Sequence, residues 1–125
     1  LAMWLQRQSD LFFVAEVDGR IVGGNVGDIK PYFDGPRFTD GEMFVEPAVR
    51  HLGVARALLQ RRVTEACRLY GIVAMETLAN GHSPTVLDWF TRLGFQRTEW
   101  VHMEVPIAVL RARLGLDPDP DPDRR

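Results

Sequence analysis

The order of the predicted elements indicates a three-layer α/β domain, because strand-type segments alternate with helical ones along the chain. Residues 11–17 and 21–26 are rich in β-branched and aromatic side chains, and Asp18-Gly19 between them is a strong signal for a tight hairpin turn. Residues 52–69 repeat apolar side chains at helical spacing, and Gly71 follows as a helix-ending glycine. The expected apolar face of this helix carries Ala55, Leu58, Leu59, Val63, Ala66, Cys67 and Tyr70.

The other elements are shorter. Residues 1–8 have a weak helical pattern, and residues 42–45 predict a short strand that Pro47 ends. The Gly- and Pro-rich residues 27–41 predict a loop or an irregular strand end, whose aromatic side chains either cover a pocket or pack beneath it. Residues 72–78 predict a strand, and Ser83-Pro84 begins a helix that ends at Gly94. One or two strands are expected over residues 95–105, followed by a short helix that Pro106 opens.

Composition limits the classes of partner. The 125 residues fit one domain, predicted over residues 1–116, with a disordered Asp-Pro tail over 117–125. The tail carries the net charge of −2, and the rest holds 13 basic and 13 acidic residues, so we do not expect nucleic-acid binding.

No apolar run approaches the roughly 20 residues of a membrane span, and no signal peptide is apparent. The lone Cys67 excludes an internal disulfide, and we expect a cytoplasmic protein in which Cys67 lies in the core.

The segment from Glu42 to Leu59 carries the candidate chemistry. A strand ends there, a short turn follows, and a long helix begins near Gly53. The first N–H groups of a helix lack internal partners and lie at the positive end of its dipole, so they can bind a pyrophosphate. Gly53 and Ala55 leave room for a phosphate, and Arg50 adds a positive charge. The alternative interpretation is an ordinary strand-to-helix turn with a small-residue start.

This segment resembles the signature of the GNAT acyltransferase family, which uses acyl-CoA. The matching residues are Phe44-Val45-x-Pro47-x-x-Arg50-x-x-Gly53-Val54-Ala55-x-x-Leu58-Leu59, and Trp89-Phe90-Thr91-Arg92-Leu93-Gly94-Phe95 is similar to the family's second landmark. The resemblance covers about residues 11–105. It implies a mixed, mostly antiparallel sheet that is splayed at its central strands, with a further strand and helix before residue 11. Either residues precede Leu1, or a neighbouring chain completes the sheet.

The resemblance also implies the ligands of the site. Acetyl-CoA would be the cosubstrate, without a metal, and the backbone of Phe44 and Val45 would hold its pantetheine arm. The residues expected to bind it are Phe44, Val45, Arg50, His51, Leu52, Gly53, Val54, Ala55, Arg56, Ser83 and Phe90. A small-molecule or peptide amine is the expected acceptor, and a homodimer is compatible with the family.

Two carboxylates are candidate general bases, since a primary amine with a pKa near 10 is mostly protonated at neutral pH. Glu42 stands where many family members place an acidic residue, and Glu76 lies in the strand predicted over residues 72–78. Glu42 could equally be a solvated carboxylate at a strand start. Phe90 occupies the position of a tyrosine that protonates the leaving thiolate in many members, and Ser83 replaces a frequent asparagine.

Three functions are compatible with the sequence. The first is an N-acetyltransferase that moves the acetyl group directly to an amine. The second is a binding module that holds acyl-CoA with little or no transfer, which the phenylalanine at position 90 favours. The third is an interaction domain that binds no CoA.

Overall fold

The computed structural model describes residues 9–116, apart from the side chains of Ser9 and His51. The helical pattern predicted for residues 1–8 and the Asp-Pro tail of residues 117–125 lie outside the described residues. The described chain forms two compact units, of which the first ends at Ser83 and the second begins at Pro84. A short 3₁₀ helix, Ser9–Leu11, opens the described part of the first unit.

The first two strands form the hairpin that Asp18-Gly19 predicts. Strand β1 (Phe13–Val17) pairs antiparallel with β2 (Arg20–Tyr32), and Val17 lies opposite Arg20 across the turn. Asp18 and Gly19 have φ angles of 52° and 75°. A two-residue type I′ turn requires a positive φ at both central positions, which aspartate and glycine tolerate. The predicted hairpin is therefore confirmed.

A second, longer hairpin occupies residues 27–41, for which the sequence left a loop or an irregular strand end open. Strand β2 continues to Tyr32 and turns into β3 (Gly35–Val45), with which it pairs antiparallel. The loop alternative was wrong because pairing with a neighbouring strand outweighs a local composition rich in Gly and Pro. Phe38 is fully buried in the core, whereas Phe33 is fully exposed at the hairpin tip. The predicted strand over residues 42–45 is the end of β3.

The long predicted helix is α1 (Val54–Tyr70), and Gly71 ends it with a φ of 60°. Its buried residues form one i, i+4 stripe: Val54, Leu58, Arg62 and Ala66. The stripe packs on one face of the sheet, where it joins two core clusters with side chains of β1, β2 and β3. Cys67 is exposed, which corrects the prediction that it is a core residue. It lies one position beyond the stripe, so the helix rotation turns its side chain away from the sheet.

The fourth strand, β4 (Ala74–Met75), runs parallel to β3 and is much shorter than the strand predicted over residues 72–78. It pairs only with Arg37 and Phe38. The sheet order is β1-β2-β3-β4, so three antiparallel strands and one parallel strand form the predicted mixed sheet. Beyond Phe38, β3 continues to Val45 with β2 on one side and no paired strand of the described residues on the other. This opening corresponds to the splayed sheet that the resemblance implies.

A β-bulge lies where β3 leaves β4. Gly27 of β2 faces two residues of β3, Asp40 and Gly41, because the register shifts between the pairs on either side. Asp40 has a φ of 54°, an uncommon angle that aspartate tolerates. A bulge of this kind bends its strand and changes the direction of the following backbone groups. The bulge therefore determines the direction of the last residues of β3.

The second unit contains two helices, α2 (Pro84–Arg92) and α3 (Ile107–Arg113), close to the predicted bounds. Gly94, with a φ of 98°, follows α2 as predicted. The strands predicted over residues 95–105 are absent from the described structure, and this segment is irregular and mostly exposed. Apolar side chains favour an extended chain, but a strand forms only where a neighbour pairs its backbone groups, and this unit offers none among its described residues.

Across residues 9–116, none of the helices combines the length and the apolar content that a membrane crossing requires.

The core predicts a strict requirement for glycine at position 27. A Cβ atom there would lie 1.8 Å from Cζ of Phe38, whose ring fills the space under the bulge. We expect Gly27→Ala to destabilise the first unit by at least about 2 kcal/mol, as overpacking in a dense core does. Gly81→Ala is the matched control, because a Cβ there meets no atom within 4 Å. Urea unfolding measures both variants, and equal stabilities would contradict the described packing.

Candidate active site

The end of β3 presents backbone groups to the open seam. Glu46 donates its N–H to the carbonyl of Val22 at 2.7 Å, which makes this a hydrogen-bonded pair of the β2–β3 ladder. Bonded and non-bonded pairs alternate in an antiparallel ladder, so the pair that contains Phe44 is bonded as well. Val45 and Met43, on either side of Phe44, belong to non-bonded pairs. Their N–H and C=O groups therefore face away from β2. An extended amide-bearing ligand can pair with groups arranged in this way.

This register modifies the prediction for Phe44. Its backbone groups belong to the bonded pair with Gly24, so the groups facing the seam are those of Val45, as predicted, and of Met43, which the sequence analysis missed. The ring of Phe44 lies over Gly24, where a Cβ would be 2.5 Å from Cε1 of the ring. The side chain of Phe44 is half-exposed, and its contact with a ligand remains a prediction.

The start of α1 has the geometry of an anion site. A 3₁₀ helix, Pro47–Leu52, leads to Gly53, which has a φ of 77° and serves as the N-cap without a side-chain hydrogen bond. The first bond of the helix joins the N–H of Ala57 to the carbonyl of Gly53. The N–H groups before Ala57 in the helix have no helical partner, and the first turn contains no acidic residue. A pyrophosphate fits this start, because no side-chain cap or carboxylate competes with it and its negative charge would complement the helix dipole.

Both the open space and the backbone angle at position 53 favour glycine. A Cβ at this position would meet no atom within 4 Å, which leaves the space in front of the helix open. The positive φ, however, strains any branched L-residue. A Gly53→Val change would therefore affect the backbone as well as the space for a phosphate.

Two cations of the predicted set accompany the helix start. Nε of Arg50 donates to the carbonyl of Val45 at 3.3 Å, so this side chain already lies beside the seam-facing end of β3. Arg56 is exposed on the first turn of α1, as is Leu52 just before it. Val54 turns its side chain into the core and can offer only its backbone N–H. The side chain of His51 lies outside the described residues.

The two candidate bases have different surroundings. Glu42 is exposed on β3, one residue before Met43, and points away from the face that packs against α1. Glu76 follows β4 directly, and its N–H donates to the carbonyl of Phe38 at 2.9 Å. Its carboxylate is 3.4 Å from Nη1 of Arg37, so it is held in an ion pair. Among the described residues, no group of three or more His, Cys, Asp or Glu could hold a metal ion.

Two of the predicted ligands lie at or beyond the end of the first unit. Ser83 is the last residue of the first unit, and its N–H donates to the carbonyl of Asn80 at 3.0 Å. Phe90 lies in α2 of the second unit, where its ring makes edge contacts with the rings of Trp89 and Phe95. Roles for Ser83 and Phe90 in binding CoA stay predictions.

The sequence analysis missed a buried polar group beneath β3. Arg62 of α1 is 5% exposed and Asn25 of β2 is 1% exposed. Nε of Arg62 donates to Oδ1 of Asn25 at 2.5 Å, and Nη2 donates to the carbonyl of Glu42 at 3.4 Å. Burial lowers the pKa of Arg62 to about 10, so the guanidinium remains charged at neutral pH. The signal in the sequence was its place on the i, i+4 stripe that begins at Val54.

The site has the features of a known enzyme family. A family model described as an acetyltransferase (GNAT) domain matches residues 8–97, which include the seam, the helix start and both candidate bases. The chain belongs to the GNAT acetyltransferase family. Membership agrees with the resemblance in the sequence, and it accounts for the mixed sheet that opens after β3.

Relatives of this GNAT chain agree with that assignment. Acetyltransferase SG1711 of Sodalis glossinidius is 29% identical over 97 residues, which are 78% of this chain and 65% of that protein. The chain thus spans just under two thirds of that relative's length.

Solved structures share the fold. An aminoglycoside N-acetyltransferase in complex with CoA is similar with a TM-score of 0.66 and 23% identity, over 84% of this chain and 81% of that one. A protein from Clostridium acetobutylicum described as a predicted acetyltransferase, solved with acetyl-CoA, has a TM-score of 0.56 and 25% identity, over 73% of this chain and 61% of that one. The α/β acyl-CoA N-acyltransferase fold predicted from the sequence is confirmed.

The helix start predicts the effect of removing its neighbouring charge. We expect Arg50→Ala to weaken acetyl-CoA binding by about 1–2 kcal/mol, or about 5- to 30-fold, the worth of a charge-assisted contact. Arg68→Ala is the matched control, because Arg68 lies in the last turn of the same helix, about 20 Å along its axis. Isothermal titration calorimetry measures the acetyl-CoA affinity of both variants. Equal affinities would show that Arg50 does not contribute to binding.

Proposed function

We propose that the chain is an N-acetyltransferase that moves the acetyl group of acetyl-CoA directly to a primary amine of a small molecule or a peptide. The observation that carries the proposal is the uncapped start of α1, placed by one short turn directly after the seam-facing end of β3. A nucleotide-bearing thioester needs an anion site and a strand-like surface in this order along its length. The CoA complexes of structurally similar acetyltransferases support the same ligand.

The residues divide the binding between them. The N–H groups of Val54, Ala55 and Arg56 would hold the pyrophosphate, with Arg50 as a neighbouring cation. Arg50 would exchange its bond to the Val45 carbonyl for a bond to phosphate. Backbone groups of Val45 and Met43 would pair with the amides of the pantetheine arm and direct the thioester toward the bulge.

Acetyl-CoA supplies the acetyl group as a thioester, and the chain's residues assist its transfer. The amine nitrogen attacks the carbonyl carbon, the C–S bond breaks, and CoA leaves as the thiolate. Glu42, directly or through a water, would take the proton that the amine loses. We favour Glu42 over Glu76 because the carboxylate of Glu76 is held by Arg37, whereas Glu42 is exposed beside the seam. A seam-facing N–H of β3 would stabilise charge on the carbonyl oxygen.

The leaving thiolate needs no dedicated acid. A thiol with a pKa near 8.5 is a moderate leaving group, so water can supply its proton. The phenylalanine at position 90 nevertheless favours a second candidate function, an acyl-CoA-binding module with little transfer activity. That module would bind acetyl-CoA and release no thiol with any amine.

The acceptor is proposed only as an amine of a small molecule or peptide. Structurally similar proteins include aminoglycoside acetyltransferases, one of them with a bisubstrate analogue of CoA and acetylneamine, which supports a small-molecule acceptor. A cytoplasmic location and a homodimer remain predictions from the sequence.

Thiol release against a panel of primary amines tests the function. We expect release with at least one amine class, and Glu42→Gln to lower the rate by about 10²-fold or more at pH 7, as loss of a general base does. The deficit should narrow as the pH rises toward the amine's pKa near 10, because the free amine then needs no base. Glu76→Gln is the control and should retain most activity. Tight acetyl-CoA binding without release from any amine would favour the binding module instead.

A further inference from the structure

Arg62 is a charged side chain in a position that the helix reserves for apolar ones. It occupies the inward stripe of α1 between Leu58 and Ala66, both of which lie in the core clusters. Burying an ion costs several kcal/mol unless its hydrogen bonds are satisfied. A leucine or methionine would fill the same stripe without that cost. The charge therefore calls for an account beyond packing.

The contacts of Arg62 lie at neutral groups of two strands, β2 and β3. Its guanidinium bonds to Oδ1 of Asn25 and to the carbonyl of Glu42, and it stacks 4.5 Å from the centroid of the Phe38 ring. Nδ2 of Asn25 in turn donates to the carbonyl of Leu11 at 3.2 Å. The positive charge is thus directed at the amide and peptide groups of β2 and β3.

This group lies directly beneath the bulge. A Cβ at Gly41, the second bulged residue, would be 3.2 Å from Nη2 of Arg62 and 2.5 Å from Cε1 of Phe38. Glu42 follows the bulge, and its register partner is Val26 of β2. The guanidinium and the ring together therefore support the turn of the backbone at the point where β3 leaves β4.

The bond to Glu42 acts on the peptide that links Glu42 to Met43. In a trans peptide, the C=O and the following N–H point in opposite directions. The Glu42 carbonyl accepts a hydrogen bond from Nη2 of Arg62 on the side that faces α1, and the Met43 N–H faces the open seam. A cation at the oxygen fixes the peptide plane and polarises the N–H at its other end, as hydrogen bonds in a chain do.

We propose that Arg62 is a positioning residue for acetyl transfer, which orients and polarises the Glu42–Met43 peptide so that the Met43 N–H binds the thioester oxygen. The proposal rests on the proposed function, because it assigns the hydrogen-bond donor of that same site. It also explains why a charged side chain is present despite the cost of its burial. A neutral side chain would pack in the core but would leave this peptide less polarised and less fixed.

Isotope-edited infrared spectroscopy of bound [1-¹³C]acetyl-CoA tests this donor. The carbonyl stretch should move to lower frequency on binding to the wild-type chain, and Arg62→Met should lose at least half of that shift. Arg68→Met, on the exposed part of the same helix, should retain it. Free ligand absorbs at its own frequency, so a lower folded fraction reduces the intensity of the bound band and leaves its frequency unchanged. An equal shift in Arg62→Met and wild type would overturn the proposal.

Steady-state kinetics supply a second readout. We expect Arg62→Met to lower kcat about tenfold, a fraction of the 10²- to 10³-fold loss that follows removal of a whole oxyanion donor. The KM for acetyl-CoA should change by less than about twofold, because the helix start dominates the affinity for the nucleotide. A loss of binding with an unchanged kcat would contradict a positioning role.

A second variant covers the case in which Arg62→Met does not fold. Asn25→Asp keeps the shape of the side chain and places a carboxylate on Nε of Arg62, which partly neutralises the guanidinium. Its carbonyl shift should fall below that of the wild type, and an unchanged shift would sink the proposal. Failure of the wild-type chain to bind acetyl-CoA would instead contradict the proposed function, so the two failures are distinguishable.

Discussion

Strand β3 must satisfy two neighbours of unequal length, and the rest of the site depends on this constraint. It pairs with β2 from the hairpin tip to Val45, but with β4 only at Arg37 and Phe38. The bulge at Asp40–Gly41 separates these two parts of the strand. Before it, β3 is an interior strand of a sheet, and after it, one edge of the same strand is left for a ligand. An exposed edge normally invites unwanted pairing, and here it is short and ends at a helix start.

The proposed ligand surface continues from that edge without a break. The 3₁₀ helix Pro47–Leu52 leads from the end of β3 to Gly53, which has a positive φ and starts α1 without a side-chain cap. The core fixes both ends of this connection, because Val49 in the turn and Val54 in the helix are buried in the same cluster. A strand edge and a helix dipole are thus held in a fixed order by apolar packing. Preorganised dipoles of this kind need little rearrangement when a charged ligand arrives.

Local chemistry made part of this structure predictable. Asp18-Gly19 specifies its turn because few other residues adopt its backbone angles, and Gly71 ends α1 for the same reason. The strand-to-helix turn was also recognisable, since its residues are consecutive in the chain. The sequence could not decide between a loop and a strand end for residues 27–41, because their strand structure depends on partners that a local pattern does not contain.

The buried polar group shows the same limit at the site. The seam-facing role of Met43 follows from the alternation of bonded pairs, which requires the register with β2. Arg62 lies on a helix whose other inward residues are apolar, and its partners are 20 and 37 residues away along the chain. Only the folded chain brings these groups under one bulge. The apolar segment at residues 95–105 illustrates the converse, since β-type side chains without a partner strand gave no strand.

Amide NMR during titration with CoA tests the central claim most directly, because it observes the backbone groups that would hold the ligand. The account predicts that the N–H resonances of Gly53, Val54, Ala55 and Arg56 shift downfield and become protected from exchange, together with those of Met43 and Val45. Resonances at the far end of α1, around Arg68, should stay unchanged. Saturable binding that leaves the first turn of α1 unaffected would contradict the account, whatever the activity of the chain.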